Sequence, residues 1–111
     1  MNVDRDLLIK NIHKVKRFEL NTEYTTEVLH VSRDTSITSL DRARKIKSIV
    51  EERDSHIAYL EEAIEYITKN KCIHIREGLT LYVISEFGSW ETLTYIYEIL
   101  RIIEAIEYEI T

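Results

Sequence analysis

Four histidines, two pairs of glutamates and a lone cysteine are the side chains of this 111-residue sequence best suited to chemistry. Imidazoles and carboxylates bind metals or move protons only when several converge on one point. Glu52 and His56 stand one helical turn apart, so both reach one side of a helix. Zinc and di-iron sites require further ligands at set spacings, and His13, His30 and His74 supply none. A solvated Glu52–His56 pair is the expectation. Cys72 has only His74 beside it, and a separation of two residues does not by itself align a thiol with a base. No catalytic residue, metal or cofactor is expected from these groups.

Glu62 with Glu65, and Glu104 with Glu107, repeat an E-x-x-E spacing on two helical stretches. Clustered carboxylates of this kind hold Mg²⁺ against a phosphate. In this respect the chain faintly resembles the all-helical nucleotide pyrophosphohydrolases of the MazG type. It departs from them in lacking the aspartate they carry in the final helix. The resemblance implies Mg²⁺-dependent nucleotide hydrolysis; surface charge is the plainer account of the four glutamates, and a non-enzymatic protein is the expectation.

The stretch "TSLDRARKIK" offers a different chemistry. Ser39 is expected to cap a helix whose free N–H groups, with Arg42, Arg44 and Lys45 within two turns, would suit a nucleotide-like anion. Lys10, Lys14 and Arg17 add to that field if the first two helices pack antiparallel, while Asp41 competes for the amides. The segment "VISEFGSWETLTYIYEIL" has the outline of a helix-turn-helix, but its second helix carries Glu91 and Glu98 where base-reading donors are needed. Net charge is −5, so no DNA partner is expected. The acid is concentrated late: residues 1–50 carry ten Lys/Arg against seven Asp/Glu, and residues 51–111 five against thirteen. That asymmetry favours head-to-tail attraction, within the chain or between copies.

The elements that must position these groups read as helices. Proline is absent and only Gly78 and Gly88 are glycines, a scarcity that long helices tolerate and tight turns do not. A first helix opens near Asn2, a candidate cap, with Asp4 and Asp6 behind it and Leu8, Ile12, Val15 and Phe18 as its apolar stripe. Residues 21–32 keep a helical spacing through Tyr24, Val28 and Val31, although their threonines also suit a strand. After the loop "SRDTSITS", a long helix near 39–70 presents Ala43, Ile46, Val50, Ile57, Leu60, Ile64 and Ile67 as a heptad seam. Gly88 and Ser89 then stop one element and start the last. The expected fold is a mainly α, single-domain bundle of three to four helices over residues 1–111 with a long central helix. The alternative is an α+β chain with a small β-hairpin near 72–86, turning at Glu77-Gly78.

The last helix raises the sharpest question. Leu93, Ile96, Leu100, Ile103 and Ile110 line one seam, Ile99, Ile102 and Ile106 a second, with Trp90 and Tyr97 filling gaps. A helix apolar most of the way round must be covered on more than one side. These ten residues are therefore expected to form an interface, with homo-oligomerisation and a protein partner as its use. No signal peptide or membrane span is read, and the cytoplasm is the expected compartment. Seventeen isoleucines suit an AT-rich coding sequence, as in phages and low-GC bacteria. The expected function is a small non-catalytic interaction module, of the phage-inhibitor or antitoxin type, that self-associates and binds a macromolecular partner. An oligomeric nucleotide- or anion-sequestering protein is the alternative.

Overall fold

A computed structural model describes residues 4–70 and 89–110. Three helices occupy them: α1 (Arg5–Ser32), α2 (Ser39–Asn70) and α3 (Trp90–Ile110). The chain is mainly α, as the helical periodicity predicts. Residues 21–32 belong to α1 without a break, so local β-propensity yields to the apolar spacing that packs Leu20 and Tyr24. The segment near 72–86, for which a β-hairpin is the alternative reading, and the stop at Gly88 lie outside the described residues.

Each helix start is set by a side-chain oxygen accepting a free amide. Asp4, not Asn2, caps α1: its Oδ1 accepts from the Leu7 amide at 3.1 Å. Asn2 itself lies outside the described residues. Thr38, not Ser39, caps α2, since the Asp41 amide donates to Thr38 Oγ1 at 3.1 Å and the Arg42 amide to its carbonyl at 3.0 Å. Ser39 becomes the first helical residue. Ser89 caps α3 as expected, accepting from the Thr92 amide at 3.3 Å. Between α1 and α2, Asp34 Oδ1 accepts from the Ser36 amide at 2.9 Å and the Ser36 hydroxyl at 2.5 Å, an Asx-type turn. Those two bonds favour the carboxylate and hold Asp34 below its ordinary pKa.

One apolar cluster joins the helices. Ile9, Ile12, Leu20 and Tyr24 come from α1, Ile49, Leu60, Ala63, Tyr66 and Ile67 from α2, and Leu93, Ile96, Ile99, Leu100 and Ile103 from α3. Of the expected α2 seam, Leu60 and Ile67 are fully buried, Ile46, Val50, Ile57 and Ile64 are half-buried and Ala43 is exposed; Ile49, Ala63 and Tyr66 take the other inner positions. On α1 the expected stripe holds in part, since Ile12 is buried and Leu8 packs against the core. Val15 and Phe18 face solvent, while Ile9, Leu20 and Tyr24 face the core.

Ion pairs bind the basic first half to the acidic second half. His13 Nε2 lies 2.7 Å from Glu61 Oε1, and Arg17 Nη1 donates to the same oxygen at 3.4 Å. Lys16 Nζ donates to Glu98 at 3.1 Å, and Arg5 donates to Glu107. The last two pairs, joining 5 to 107 and 16 to 98, set α3 antiparallel to α1. Charge asymmetry is thus spent within the chain, although each partly exposed pair contributes only about 0–1 kcal/mol. Stability rests on the core. Ile103→Ala, at a fully buried site, should cost about 2–5 kcal/mol in urea unfolding, whereas Val15→Ala, at an exposed one, should stay within about 0.5 kcal/mol. Thr38→Ala should cost about 1 kcal/mol and Ser39→Ala distinctly less, which checks the position of the α2 cap.

Candidate functional site

Helix α1 packs chiefly on α2 and touches α3 lightly. Its one-turn repeat brings Leu8, Ile12 and Val15 to the side facing α3, where Ile102 and Ile106 stand opposite. The two walls do not close. They leave an apolar groove of about 300 Å³, with Lys16 and Glu19 on its rim. A second recess of about 350 Å³ shares Lys16 and Ile102 with it and runs on to Tyr97, Glu98 and Arg101. The Arg5–Glu107 and Lys16–Glu98 pairs clamp the groove at its two ends.

The apolar surface continues outward from the groove over α1. Leu7 is 53% exposed, Val15 55%, Phe18 71% and Leu29 46%. Hydrophobic burial stabilises by about 1.5–3 kcal/mol for each large side chain, so this face favours being covered. Its chemistry is that of a binding surface, with a floor of isoleucine and leucine and a rim carrying both charge signs.

The ten residues of the expected interface divide. Leu93, Ile96, Ile99, Leu100 and Ile103 are buried inside the single chain and serve its core rather than an interface. These five come from both expected seams, and they join core residues of α1 and α2 in one cluster. Tyr97, Ile102 and Ile106 are half-buried along the groove, and Trp90 is exposed at the start of α3. The side chain of Ile110 lies outside the described ones. Sequence reasoning missed the α1 half of the surface because it assigned Val15 and Phe18 to the core.

The expected anion site is not assembled. Arg42 turns back to donate from Nη2 to the Ile37 carbonyl at 3.3 Å, and Arg44 leans on Asp41 at 3.9 Å. Ser39 is displaced from the cap by Thr38, which also occupies the Asp41 amide. Lys45 is exposed and adds to the field that lowers the Asp34 pKa. The paired glutamates are likewise spoken for separately. Glu62 accepts from Thr92 Oγ1 at 3.0 Å, Glu65 pairs with Lys69 at 2.6 Å, and Glu107 pairs with Arg5. Among the described residues no three His, Cys, Asp or Glu side chains gather to hold a metal. Cys72 and His74 lie outside the described residues.

His56 finds partners no sequence spacing announces. Its Nδ1 lies 2.8 Å from the Tyr95 hydroxyl, and its ring packs against Tyr24, Tyr59 and Tyr95 at 6.1, 5.8 and 6.0 Å between centroids. The cluster ties all three helices together. It replaces the expected solvated Glu52–His56 pair, while the negative charge of Glu52 helps raise the pKa of the Tyr24 phenol. Burial raises Tyr24 most, and burial also pushes the Tyr95 phenol up to about 12.

Comparison with protein-family models, with curated proteins and with solved structures finds no match for this chain.

The tyrosines give the fold an alkaline limit. Tyr95 holds its proton more tightly when folded than when unfolded, so its contribution is complete below pH 10 and is lost as pH rises to about 12. Urea midpoints of the natural chain should fall across that window. Tyr95→Phe should flatten the fall, while lowering stability near neutral pH by about 1 kcal/mol through loss of the His56 bond. An unchanged alkaline slope in Tyr95→Phe would show that the phenol is not responsible.

Proposed function

We propose that this chain is a non-catalytic protein-interaction module, which binds a macromolecular partner through the α1–α3 groove and the exposed α1 face beside it. The open apolar groove carries this reading. Its lining residues Ile102 and Ile106 belong to the helix from which the sequence predicts an interface, and Leu8, Ile12 and Val15 supply the opposite wall. The carboxylates that would serve a nucleotide hydrolase support it from the other side. Glu62 and Glu107 tie neighbouring helices together through Thr92 and Arg5, and Glu65 pairs with Lys69 along α2.

An apolar groove with a mixed-charge rim suits an amphipathic helix, whose anchors recur every three to four residues. Interaction proteins of the inhibitor or antitoxin type act through such a surface, and a cytoplasmic site of action fits that role. No helix among the described residues is long and apolar enough to cross a membrane.

The test uses the exposed Phe18, whose replacement leaves the core untouched. Proteins of the native host retained by immobilised natural chain should be released from a Phe18→Glu column and from a Val15→Glu column. Loss of more than about 1 kcal/mol per anchor is expected at such positions. Equal retention by all three columns, or an empty column from a natural chain that is also monomeric in solution, would defeat the proposal.

A further inference from the structure

We infer that the outer stripe of α1 is a two-fold seam on which a second copy of this chain packs its own α1, parallel and in register. The inference rests on the interaction reading above and names one partner for it. Positions 8, 11, 15, 18, 22, 25 and 29 step by alternate threes and fours, the repeat of a coiled-coil seam. They hold Leu8, Asn11, Val15, Phe18, Thr22, Thr25 and Leu29. The nine Lys, Arg, Asp and Glu side chains of α1 all lie elsewhere on the helix. This seam is not the core seam. At 3.6 residues per turn, Phe18 stands about 160° from Leu20, and Leu20 is buried while Phe18 is 71% exposed. Asn11, Thr22 and Thr25 are exposed along the same line.

The flanks choose the occupant and its direction. In a parallel, in-register pair the residue before one seam position faces the residue five places on in the other copy. Lys14 then meets Glu19, Asn21 meets Thr26, and Leu7 meets Ile12. Charge faces opposite charge, polar faces polar, apolar faces apolar, and the two-fold axis repeats each match. Such self-complementarity is what an isologous interface requires. An antiparallel pair sets like flank against like flank, so Lys14 never meets Glu19. Shape agrees with charge. Leu7, 53% exposed, is delivered beside Ile12, and Ile12 lines the open groove of about 300 Å³. The leucine of one copy thereby enters the groove of the other. Asn11 and the two threonines make the seam weak but fix its register, so the dimer is concentration-dependent.

Sedimentation equilibrium over about 1–200 μM chain tests this directly. The natural chain should rise from one-chain to two-chain mass. Phe18→Glu should remain a single chain with unchanged helical circular dichroism, because the side chain it removes is exposed. Lys14→Glu and Glu19→Lys each turn two attractions into two repulsions and should each raise the dimer Kd about five- to tenfold at low salt. High salt should shrink that difference. The double exchange K14E/E19K restores opposite charges in both pairs and should return Kd to within about twofold. Among the described residues Glu19 otherwise leans only on Lys16, at 3.9 Å, so its replacement disturbs little else there. A one-chain mass throughout, a dimer indifferent to Phe18→Glu, or a double exchange no tighter than the single ones would overturn the inference. A monomer whose column still retains a host protein that Phe18→Glu releases would sink the dimer and leave the interaction reading standing. A monomer with an empty column would sink both.

Discussion

Burial of α3 against α2 is the contact on which the other arrangements depend. Leu60, Ile67, Ile99, Leu100 and Ile103 lose almost all their exposure, and no other group of side chains in the described residues is so completely enclosed. At about 1.5–3 kcal/mol for each such side chain, this contact outweighs every partly exposed ion pair in the molecule. It also fixes which way α3 faces. On the α1 side of α3, Ile102 and Ile106 line the groove and Tyr97 lines the recess beside it. Thr92, fully buried, bonds Glu62 across the same interface, so its hydroxyl is satisfied rather than stranded.

The groove follows from that commitment. α1 is drawn to α2 by its own core residues and by the sharing of Glu61 between His13 and Arg17. Its hold on α3 is different in kind, with polar clamps at Arg5–Glu107 and Lys16–Glu98 and little apolar closure between them. Long charged side chains bridge a gap that leucine and isoleucine leave open. An ion pair sets a distance without filling a volume. The clamps therefore preserve the groove while fixing the α1–α3 direction, and the segregated charge of the sequence acts as a positioning device as much as a stabilising one.

Much of this was legible in advance, and the exceptions have physical causes. The helices follow from periodicity and from the near absence of glycine and proline. The α2 cap is displaced by one residue because Thr38 and Ser39 are both competent cappers, and only the backbone decides between them. α1 was harder because it has two apolar stripes: Ile9, Leu20 and Tyr24 on one side, Leu8, Val15 and Phe18 on the other. Hydropathy gives both the same weight; the choice belongs to α2, which offers Ile49 and its neighbours to one of them. The His56 cluster was invisible for another reason. Tyr24, His56 and Tyr95 lie on three different helices, and no local spacing encodes their meeting.

The same ambiguity relocates the apolar excess that makes the sequence unusual. The last helix looks too apolar to be sheltered, yet α2 and the core take in Leu93, Ile96, Ile99, Leu100 and Ile103 together. A stripe wide enough to count as two seams on a helical projection is still one stripe when its neighbour is a 32-residue helix. What is left on α3 lies mainly at its ends, in Trp90 and Tyr108. α1 leaves Val15, Phe18 and Leu29 exposed on its outer side. It uses one stripe to join the core and carries the other, with Phe18 the most exposed of its large apolar side chains, into solvent. The surplus that the closing helix advertises in sequence is thus expressed on the opening helix in space. Among the described helices, the unmet apolar surface lies on α1, which packs chiefly on α2 and lightly on α3.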